Sequence, residues 1–219
     1  MFQTVIFDLD GTLLDTIADL AAAGNYVCHR RGWPEHTAEE FAALVGHGMA
    51  NLVERLTPVE ERTPDVLSAA LEEFSRYYAD HSMDLTRPYE GIPTLLEELQ
   101  AKGVEMAVYS NKPHPFTCAL MERFFPHRFR LVRGKQEGIP VKPDPTGILA
   151  ILKELGAEER TTLFVGDSNV DIRTGHNAGL KACGVPWGYR SRASLVEAGA
   201  DYLADTVAQL RQVILEEAE

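Results

Sequence analysis

Short apolar runs alternate with helix-like patterns from about Gly91 to the end of the chain, and this alternation restricts the fold more than any other feature. Parallel strands need long crossovers between them, so a chain that alternates in this way predicts a parallel sheet wrapped by helices. An earlier apolar run, Thr4–Phe7, is of the same type, and we predict that it joins this sheet. The remaining predicted strands are Met106–Tyr109, Leu131–Val132, Leu163–Val165, Lys181–Val185 and Tyr202–Leu203, with helices at Ile92–Lys102, Phe116–Phe125, Gly147–Leu155, Asp171–Ala178 and Thr206–Glu216.

The stretch after the first strand differs, because it contains only helical patterns, at Ile17–Arg31, Ala38–Leu44, Met49–Leu56 and Val66–Ser82. An all-helical insertion after the first strand of an α/β sheet is typical of a lid over a binding site. The sequence therefore predicts an α/β fold. We expect a Rossmann-like core formed by residues 1–15 and 89–219, with an all-helical cap formed by residues 16–88.

The charge of the chain limits the partners that it can bind. A net charge of -12 argues against a nucleic-acid partner, because phosphate backbones are bound by clustered lysines and arginines. The sequence has no apolar stretch of membrane-spanning length and no signal-peptide pattern, and its three cysteines lack the spacing of a zinc or redox site. We expect a cytoplasmic monomer or homodimer that binds neither nucleic acid nor membrane.

Polar clusters follow the predicted strands where ligands bind in this class of fold. In an open parallel sheet the ligand lies outside the carboxyl ends of the strands, so residues that follow different strands meet there. The sequence predicts that four clusters share this edge: Asp8–Thr12, Ser110–Lys112, Lys142–Asp144 and Gly166–Asp171.

The first cluster predicts a metal ion. Asp8 and Asp10 are two residues apart, so in an extended backbone both carboxylates leave the same side of the strand. Two such anions repel each other unless a cation lies near them. Oxygen ligands without cysteine or histidine favour a hard ion, and Mg²⁺ that also holds a phosphate group fits this best. Asp167, from another strand end, can complete the metal shell.

A carboxylate beside a metal-bound phosphate can attack phosphorus and form an aspartyl-phosphate. We assign this role to Asp8, and we assign to Asp10 the protonation of the leaving oxygen and the later activation of water. Lys142 would offset the charge of Asp8 and of the phosphoryl group. The hydroxyl of Ser110 and the backbone or amide N–H of Asn111 would hold the phosphoryl oxygens.

Each cluster also has a simpler structural interpretation. Asp10 and Gly11 suit a turn, and Asp10 or Thr12 can cap the following helix. Ser110 and Asn111 can form a strand-to-helix turn, and Lys142 can be an exposed loop lysine. Asp167 and Asp171 can be a loop turn and a negative charge favoured at a helix start. All four clusters occur in the expected order after the expected strands, which favours a shared site.

These motifs resemble those of the haloacid dehalogenase-like superfamily, over essentially the whole chain. Its second motif-one aspartate is typical of phosphotransferases and absent from the dehalogenases, so Asp10 indicates phosphoryl chemistry. The resemblance implies that the backbone carbonyl of Asp10 binds Mg²⁺ and that Asp167 ligates it directly. It implies that Asp171 acts as a second-tier ligand, through water or by orienting Lys142.

Four further stretches of the sequence resemble those of the phosphoglycolate phosphatase group: Ser110–Pro113, Lys142–Pro145, Leu44–Gly48 and Gly184–Tyr189. This resemblance implies a small phosphate ester as substrate, with 2-phosphoglycolate favoured. The chain departs from the group's pattern at Tyr109, where a threonine is expected. His47 lies between two glycines of the predicted cap, where it can reach a substrate carboxylate or can be an exposed loop histidine. We also include Thr12 among the candidates for binding the phosphate.

Other activities share the same core. A sugar phosphomutase uses the same two aspartates and returns the phosphoryl group to a sugar, and pyrophosphatases and nucleotidases differ in substrate alone. A catalytically silent binding protein is the alternative from another class. It is expected to lack a motif residue, whereas Asp8, Asp10, Lys142 and Asp167 are all present.

Overall fold

The structure is a computed structural model and describes residues 1–216, so the last three positions of the predicted core segment 89–219 lie outside the described residues. The strands are β1 (Thr4–Phe7), β2 (Leu14–Asp15), β3 (Arg87–Pro88), β4 (Glu105–Pro113), β5 (Leu131–Lys135), β6 (Thr162–Gly166), β7 (Lys181–Gly184) and β8 (Tyr202–Leu203). The helices are α1 (Ile17–Arg31), α2 (Ala38–Leu44), α3 (Met49–Leu56), α4 (Pro64–His81), α5 (Ile92–Ala101), α6 (His114–Phe124), α7 (Thr146–Leu155), α8 (Asn169–Asn177), α9 (Arg192–Glu197) and α10 (Val207–Leu215).

The described residues form a six-stranded parallel sheet in the order β5-β4-β1-β6-β7-β8, which confirms the predicted α/β fold. The central strand β1 is buried along its whole length, as expected for a parallel strand covered on both faces. Its side chains alternate between two apolar layers. Val5 and Phe7 pack with α5, α6 and α10, whereas Ile6 packs with α7 on the opposite face.

The helices α1 to α4, which we call the helical insertion, have an apolar core of their own. This cluster includes Leu20, Phe41, Leu52 and Phe74 and is separate from the two layers that cover the sheet. Gly24 allows α1 to pack closely on α2, because a Cβ atom there would lie 2.2 Å from the ring of Phe41. The insertion therefore holds together through its own side chains.

A short antiparallel ribbon lies at both ends of the helical insertion. Strand β2 enters it and β3 leaves it, and Leu14 pairs with Pro88 while Asp15 pairs with Arg87. Neither strand was predicted, because each is only two residues long and lies outside the alternation of strand and helix patterns from which the other short strands were predicted. Helix α9 was also not predicted, because its six residues make less than two turns and show no repeated apolar spacing. Within residues 1–216, the helices are each too short or too polar to cross a membrane.

Strand β4 differs most from its prediction, because it continues to Pro113 and includes the polar residues that were expected to follow it. Its pairing with β5 is irregular: Tyr109 pairs with Arg133 but Pro113 pairs with Lys135, so four residue steps of β4 span two of β5. Such irregularities bend a strand and redirect its side chains. Consecutive residues from Ser110 to Pro113 consequently line the same cavity.

Candidate active site

A cavity of about 50 Å³ lies between the carboxyl ends of the central strands and the helical insertion. The sheet side supplies charged and polar residues from all four predicted clusters. The insertion supplies a mainly apolar roof. The lining residues on the sheet side include Asp8, Asp10, Ser110, Asn111, Lys112, Lys142, Asp167, Asp171 and Arg190, and those on the roof include Leu20, Val45, Gly46, Gly48, Met49 and Leu52.

Lys142 lies between two carboxylates at the floor of the cavity. Its ammonium is 2.7 Å from Oδ1 of Asp8 and 2.7 Å from Oδ1 of Asp171, and all three residues are buried. Burial opposes the charged form of the lysine, but the two carboxylates outweigh it and raise its pKa. Lys142 is therefore a fixed positive charge beside Asp8.

The start of helix α8 fixes Asp171. Ser168 is the N-cap: its hydroxyl accepts from the backbone N–H of Asp171 at 3.3 Å and donates to Oδ2 of Asp171 at 2.6 Å, and its own backbone N–H donates to that Oδ2 at 3.0 Å. This reciprocal cap also explains why α8 begins two residues earlier than predicted. Oδ2 of Asp171 thus holds the helix start, while Oδ1 faces Lys142.

Three carboxylates come together at this edge of the sheet. Asp8, Asp167 and Asp171 each offer an oxygen within 4.8 Å of the others, and all three are buried. Burial, helped by the neighbouring Asp171, raises the pKa of Asp8 to about 7 against the opposing effect of Lys142. Burial, together with the neighbouring Asp171 and Asp8, raises the pKa of Asp167 well above its usual range. The excess negative charge and the all-oxygen donor set suit a hard divalent cation.

Asp167 is also held by the chain after strand β7. The backbone N–H of Tyr189 donates to its Oδ2 at 2.6 Å. Gly188 makes this approach possible, because a Cβ atom there would lie 2.4 Å from that same oxygen and 2.3 Å from the carbonyl of Gly11. A side chain at position 188 would collide with Asp167 and with the backbone of Gly11, so glycine is required there.

Asp10 lies outside the carboxylate group and is paired with Lys112. The ammonium of Lys112 contacts both of its carboxylate oxygens, and the hydroxyl of Thr16 donates to its Oδ1 at 2.6 Å. The ring of Tyr78, from α4, lies 4.8 Å from the same ammonium. Sequence reasoning assigned no role to Lys112, although a site for an anion in an acidic chain needs local positive charge.

Ser110 and Asn111 both line the cavity. The amide of Asn111 donates to the carbonyls of Gly46 at 3.1 Å and Lys142 at 3.2 Å, and its oxygen accepts from the backbone N–H of Lys142 at 2.8 Å. Asn111 therefore joins the Lys142 loop to the helical insertion. The hydroxyl of Ser110 accepts from the backbone N–H of Lys112 at 3.2 Å.

Two predicted site residues lie elsewhere. Among residues 1–216, Thr12 and His47 are not part of the cavity lining. Thr12 is fully buried, and its hydroxyl has no hydrogen-bond partner among the described residues. His47 is exposed, while the flanking Gly46 and Gly48 contribute backbone to the roof; a Cβ atom at Gly48 would lie 3.3 Å from the carbonyl of Asn111.

Arg190 lines the cavity without having been predicted to do so. Its guanidinium donates to the carbonyls of Ala42 and Val45, at the carboxyl end of helix α2, and to the carbonyl of Tyr189. The contact suits a cation, since the carboxyl end of a helix carries partial negative charge. No pattern in the sequence pairs this loop with α2, which is almost 150 residues away.

Comparisons with known proteins agree with this geometry. A family model described as haloacid dehalogenase-like hydrolase matches residues 5–185. The phosphoglycolate phosphatase of Haemophilus influenzae is 32% identical over 220 residues, covering 97% of this chain and 98% of its own length. The N-acetylmuramic acid 6-phosphate phosphatase of Pseudomonas aeruginosa is 32% identical over 214 residues, covering 97% of this chain and 94% of its own.

A solved structure shows the same fold at higher identity. The crystal structure of a protein from Lactobacillus delbrueckii subsp. bulgaricus, assigned to the phosphoglycolate phosphatases, superposes with a TM-score of 0.93 at 35% identity and 99% coverage of both chains. The family model and the relatives each span most of the chain. The chain therefore belongs to the haloacid dehalogenase-like hydrolases, within the phosphoglycolate phosphatase-like group.

Proposed function

We propose that the protein hydrolyses a small phosphomonoester, with 2-phosphoglycolate as the favoured substrate, through an aspartyl-phosphate on Asp8. Its family and relatives make it a phosphoric monoester hydrolase; the ester and the mechanism are the proposal. The observation that carries it is the position of Asp8, which lies on the cavity floor 2.7 Å from the Lys142 ammonium and within the three-carboxylate group.

We assign the metal site to the carboxylates of Asp8 and Asp167, with the backbone carbonyl of Asp10 as the family resemblance implies. Asp171 belongs to the same group but already binds Lys142 and the start of α8, which suits a second-tier role. Magnesium, when bound, supplies the positive charge that offsets the phosphate oxygens. The buried, all-oxygen donor set supports this assignment.

The chain's own residues perform two displacements in this proposal. In the first, an oxygen of Asp8 attacks phosphorus while Asp10 gives a proton to the departing ester oxygen. In the second, Asp10 takes a proton from the water that attacks the phosphoenzyme, releasing phosphate and restoring Asp8. Lys142 stabilises the charge on the phosphoryl group, and Ser110 holds one of its oxygens.

The amide of Asn111 is already bonded to Gly46 and Lys142, so its backbone N–H is the group that we assign to a phosphoryl oxygen. Thr12 and His47 have no role in this mechanism as the site is arranged here, since neither lines the cavity. Their predicted contacts with substrate stay predictions.

We also propose that residues 16–88 act as a cap that encloses the ester. The apolar side chains of Leu20, Val45, Met49 and Leu52 form the roof, which would exclude water from the phosphoenzyme.

The test is phosphate release from 2-phosphoglycolate, pyrophosphate, sugar phosphates including N-acetylmuramic acid 6-phosphate, and nucleoside monophosphates, with Mg²⁺ and with EDTA. We expect Mg²⁺-dependent release with the highest kcat/KM for 2-phosphoglycolate. A preference for another ester would replace the substrate and keep the mechanism. Release that needs a bisphosphorylated activator would favour a mutase, and no release from any ester would reject the proposal.

A further inference from the structure

The cavity contains three cations, and two of them are already neutralised by carboxylates. Lys142 pairs with Asp8 and Asp171, and Lys112 pairs with both oxygens of Asp10. Among residues 1–216, Arg190 has no carboxylate within ion-pairing distance, and its polar contacts are all with backbone carbonyls. Its charge is therefore available to an anion that enters the cavity.

The donors of Arg190 can be counted. A guanidinium has five N–H bonds. Nη1 donates to the carbonyls of Ala42 and Tyr189, and Nη2 donates once, to the carbonyl of Val45 at 2.6 Å. The Nε–H and the second Nη2–H consequently have no partner among the described residues. In a guanidinium the Nε–H and one Nη2–H lie side by side on one edge, and this fork can bind both oxygens of a carboxylate.

Arg190 and Lys142 are anchored differently in the cavity. The phosphoryl group of the proposed mechanism lies on Asp8, beside Lys142 at the floor. Arg190 comes from the loop after β7 on the sheet side and reaches across to the carbonyls at the end of helix α2, beside the apolar roof, and its charge also acts on Asp167. Because Lys142 already lies beside Asp8, where the phosphoryl group is proposed to bind, we assign an anion at Arg190 to the organic part of the ester.

We propose that Arg190 determines specificity by binding a carboxylate of the substrate, so that the enzyme prefers phosphomonoesters that carry a carboxylate close to the phosphate. This inference rests on the proposed function and names the residue that selects the substrate class. Because the same guanidinium holds α2, a bound carboxylate would also fix the roof over the ester. Substrate selection and closure of the cavity then share one side chain.

The test compares two esters of the same length, 2-phosphoglycolate and ethyl phosphate, in which a methyl group replaces the carboxylate. Arg190→Gln weakens the attachment of the roof for both esters, but it removes the fork for 2-phosphoglycolate alone. We expect the ratio of their kcat/KM values to fall about 10- to 100-fold, as expected for losing a charge-assisted pair. Arg190→Lys, which keeps the charge without the fork, should give an intermediate ratio.

Arg192→Gln is the matched control, because Arg192 is exposed and pairs with Asp205 at the surface; its ratio should stay within about twofold of wild type. Equal losses for both esters in Arg190→Gln would overturn the proposal and leave Arg190 as a structural contact. If wild type hydrolyses neither ester, the proposed function fails. The role of Arg190 is then tested by calorimetry, which measures the Kd of each ester. In the Asp8→Asn protein we expect tighter binding of 2-phosphoglycolate than of ethyl phosphate, and we expect Arg190→Gln to remove this difference. If the Asp8→Asn protein binds both esters equally, or if Arg190→Gln leaves the difference unchanged, the inference is overturned.

Discussion

The ammonium of Lys112 lies 2.9 Å and 3.0 Å from the two carboxylate oxygens of Asp10, and the two side chains are only 3% and 13% exposed. The proposed acid/base is therefore held by a buried lysine from the irregular part of strand β4. Tyr78 approaches the same lysine from the helical insertion. The orientation of Asp10 thus depends on both parts of the chain.

Replacing Lys112 by methionine should impair the chemical step. Asp10 would keep Thr16 as a partner but lose its bidentate contact, so we expect kcat to fall about 10- to 100-fold with a smaller change in KM. Leaving Asp10 unpaired should also lower the free energy of unfolding by about 3 kcal/mol. Steady-state phosphate release and urea titration measure the two effects. Lys153→Met, at an exposed position of α7, is the control, and a wild-type kcat in Lys112→Met would contradict the positioning role.

Asp8→Asn should abolish turnover and leave the protein folded, because a neutral amide cannot form the phosphoenzyme. It should also change how stability depends on pH. The native pKa of Asp8 is about 7 and its ordinary value is 3.8, so in this window the folded chain binds a proton that the unfolded chain releases. Stability of the wild-type protein in EDTA should therefore fall as pH rises from about 4 to 7.

The slope should be shallower in Asp8→Asn and should not vanish, since Asp167 also has a raised pKa and remains in the variant. At pH 8 in EDTA we expect Asp8→Asn to be the more stable protein, by a few kcal/mol. Urea titrations at several pH values measure this. Parallel curves for the two proteins would contradict the role of Asp8 burial, and appreciable turnover would contradict the nucleophile assignment.

Calcium should bind in place of magnesium and inhibit. It takes more ligands at longer distances, so Asp8 and the phosphate oxygens would no longer be correctly placed for attack. We expect Ca²⁺ to raise Tm, which reports binding, while phosphate release falls to a few per cent of the Mg²⁺ rate. Full activity with Ca²⁺ as the added metal would count against the magnesium assignment.

Gly188→Ala should weaken metal binding. The new methyl group would lie 2.4 Å from Oδ2 of Asp167, which must move away. We expect the Mg²⁺ concentration for half-maximal activity to rise about tenfold or more, with partial recovery at high Mg²⁺. Gly138→Ala is the control for a strained substitution away from the site: its methyl group would meet open space, while its φ of 75° disfavours a side chain. Equal Mg²⁺ requirements in the two variants would show that Asp167 is not displaced.

Asp19→Asn should destabilise the start and end of the helical insertion. The buried carboxylate of Asp19 accepts from the backbone N–H of Leu85 at 2.9 Å, and from the backbone N–H and hydroxyl of Thr86 at 2.8 Å and 2.7 Å. An amide would set its own N–H against these donors. We expect the free energy of unfolding to fall by about 2 kcal/mol in urea titrations. Asp80→Asn, at an exposed position of α4, should change it by less than about 0.5 kcal/mol.

The sequence allowed accurate prediction where local patterns determine structure. The bounds of α1, α2 and α3 match their apolar spacing, and Pro64 begins α4 two residues earlier than predicted because proline suits the first turn after the N-cap Thr63. Asp8, Lys142, Asp167 and Asp171 meet as expected from the rule that ligand-binding residues follow parallel strands.

The remaining contacts of the site could not be predicted, because they depend on three-dimensional packing. Lys112 reaches Asp10 over 102 residues of sequence, through an irregular pairing of β4 that no local signal encodes. Arg190 reaches the end of α2 from a loop with no periodic pattern. Gly46 and Gly48 contribute backbone to the roof of the cavity. The sequence had instead suggested that the two glycines allow His47, which lies between them, to reach the substrate.

The ribbon of β2 and β3 makes the helical insertion an exchangeable module. Leu14 and Pro88 are paired neighbours, so their Cα atoms are about 5 Å apart and a tight turn of two or three residues would rejoin the chain there. Neither β1 nor β4 would need to move. In a protein built this way, recombination or protein engineering can replace the roof of the cavity while Asp8, Lys142 and Arg190 stay in place.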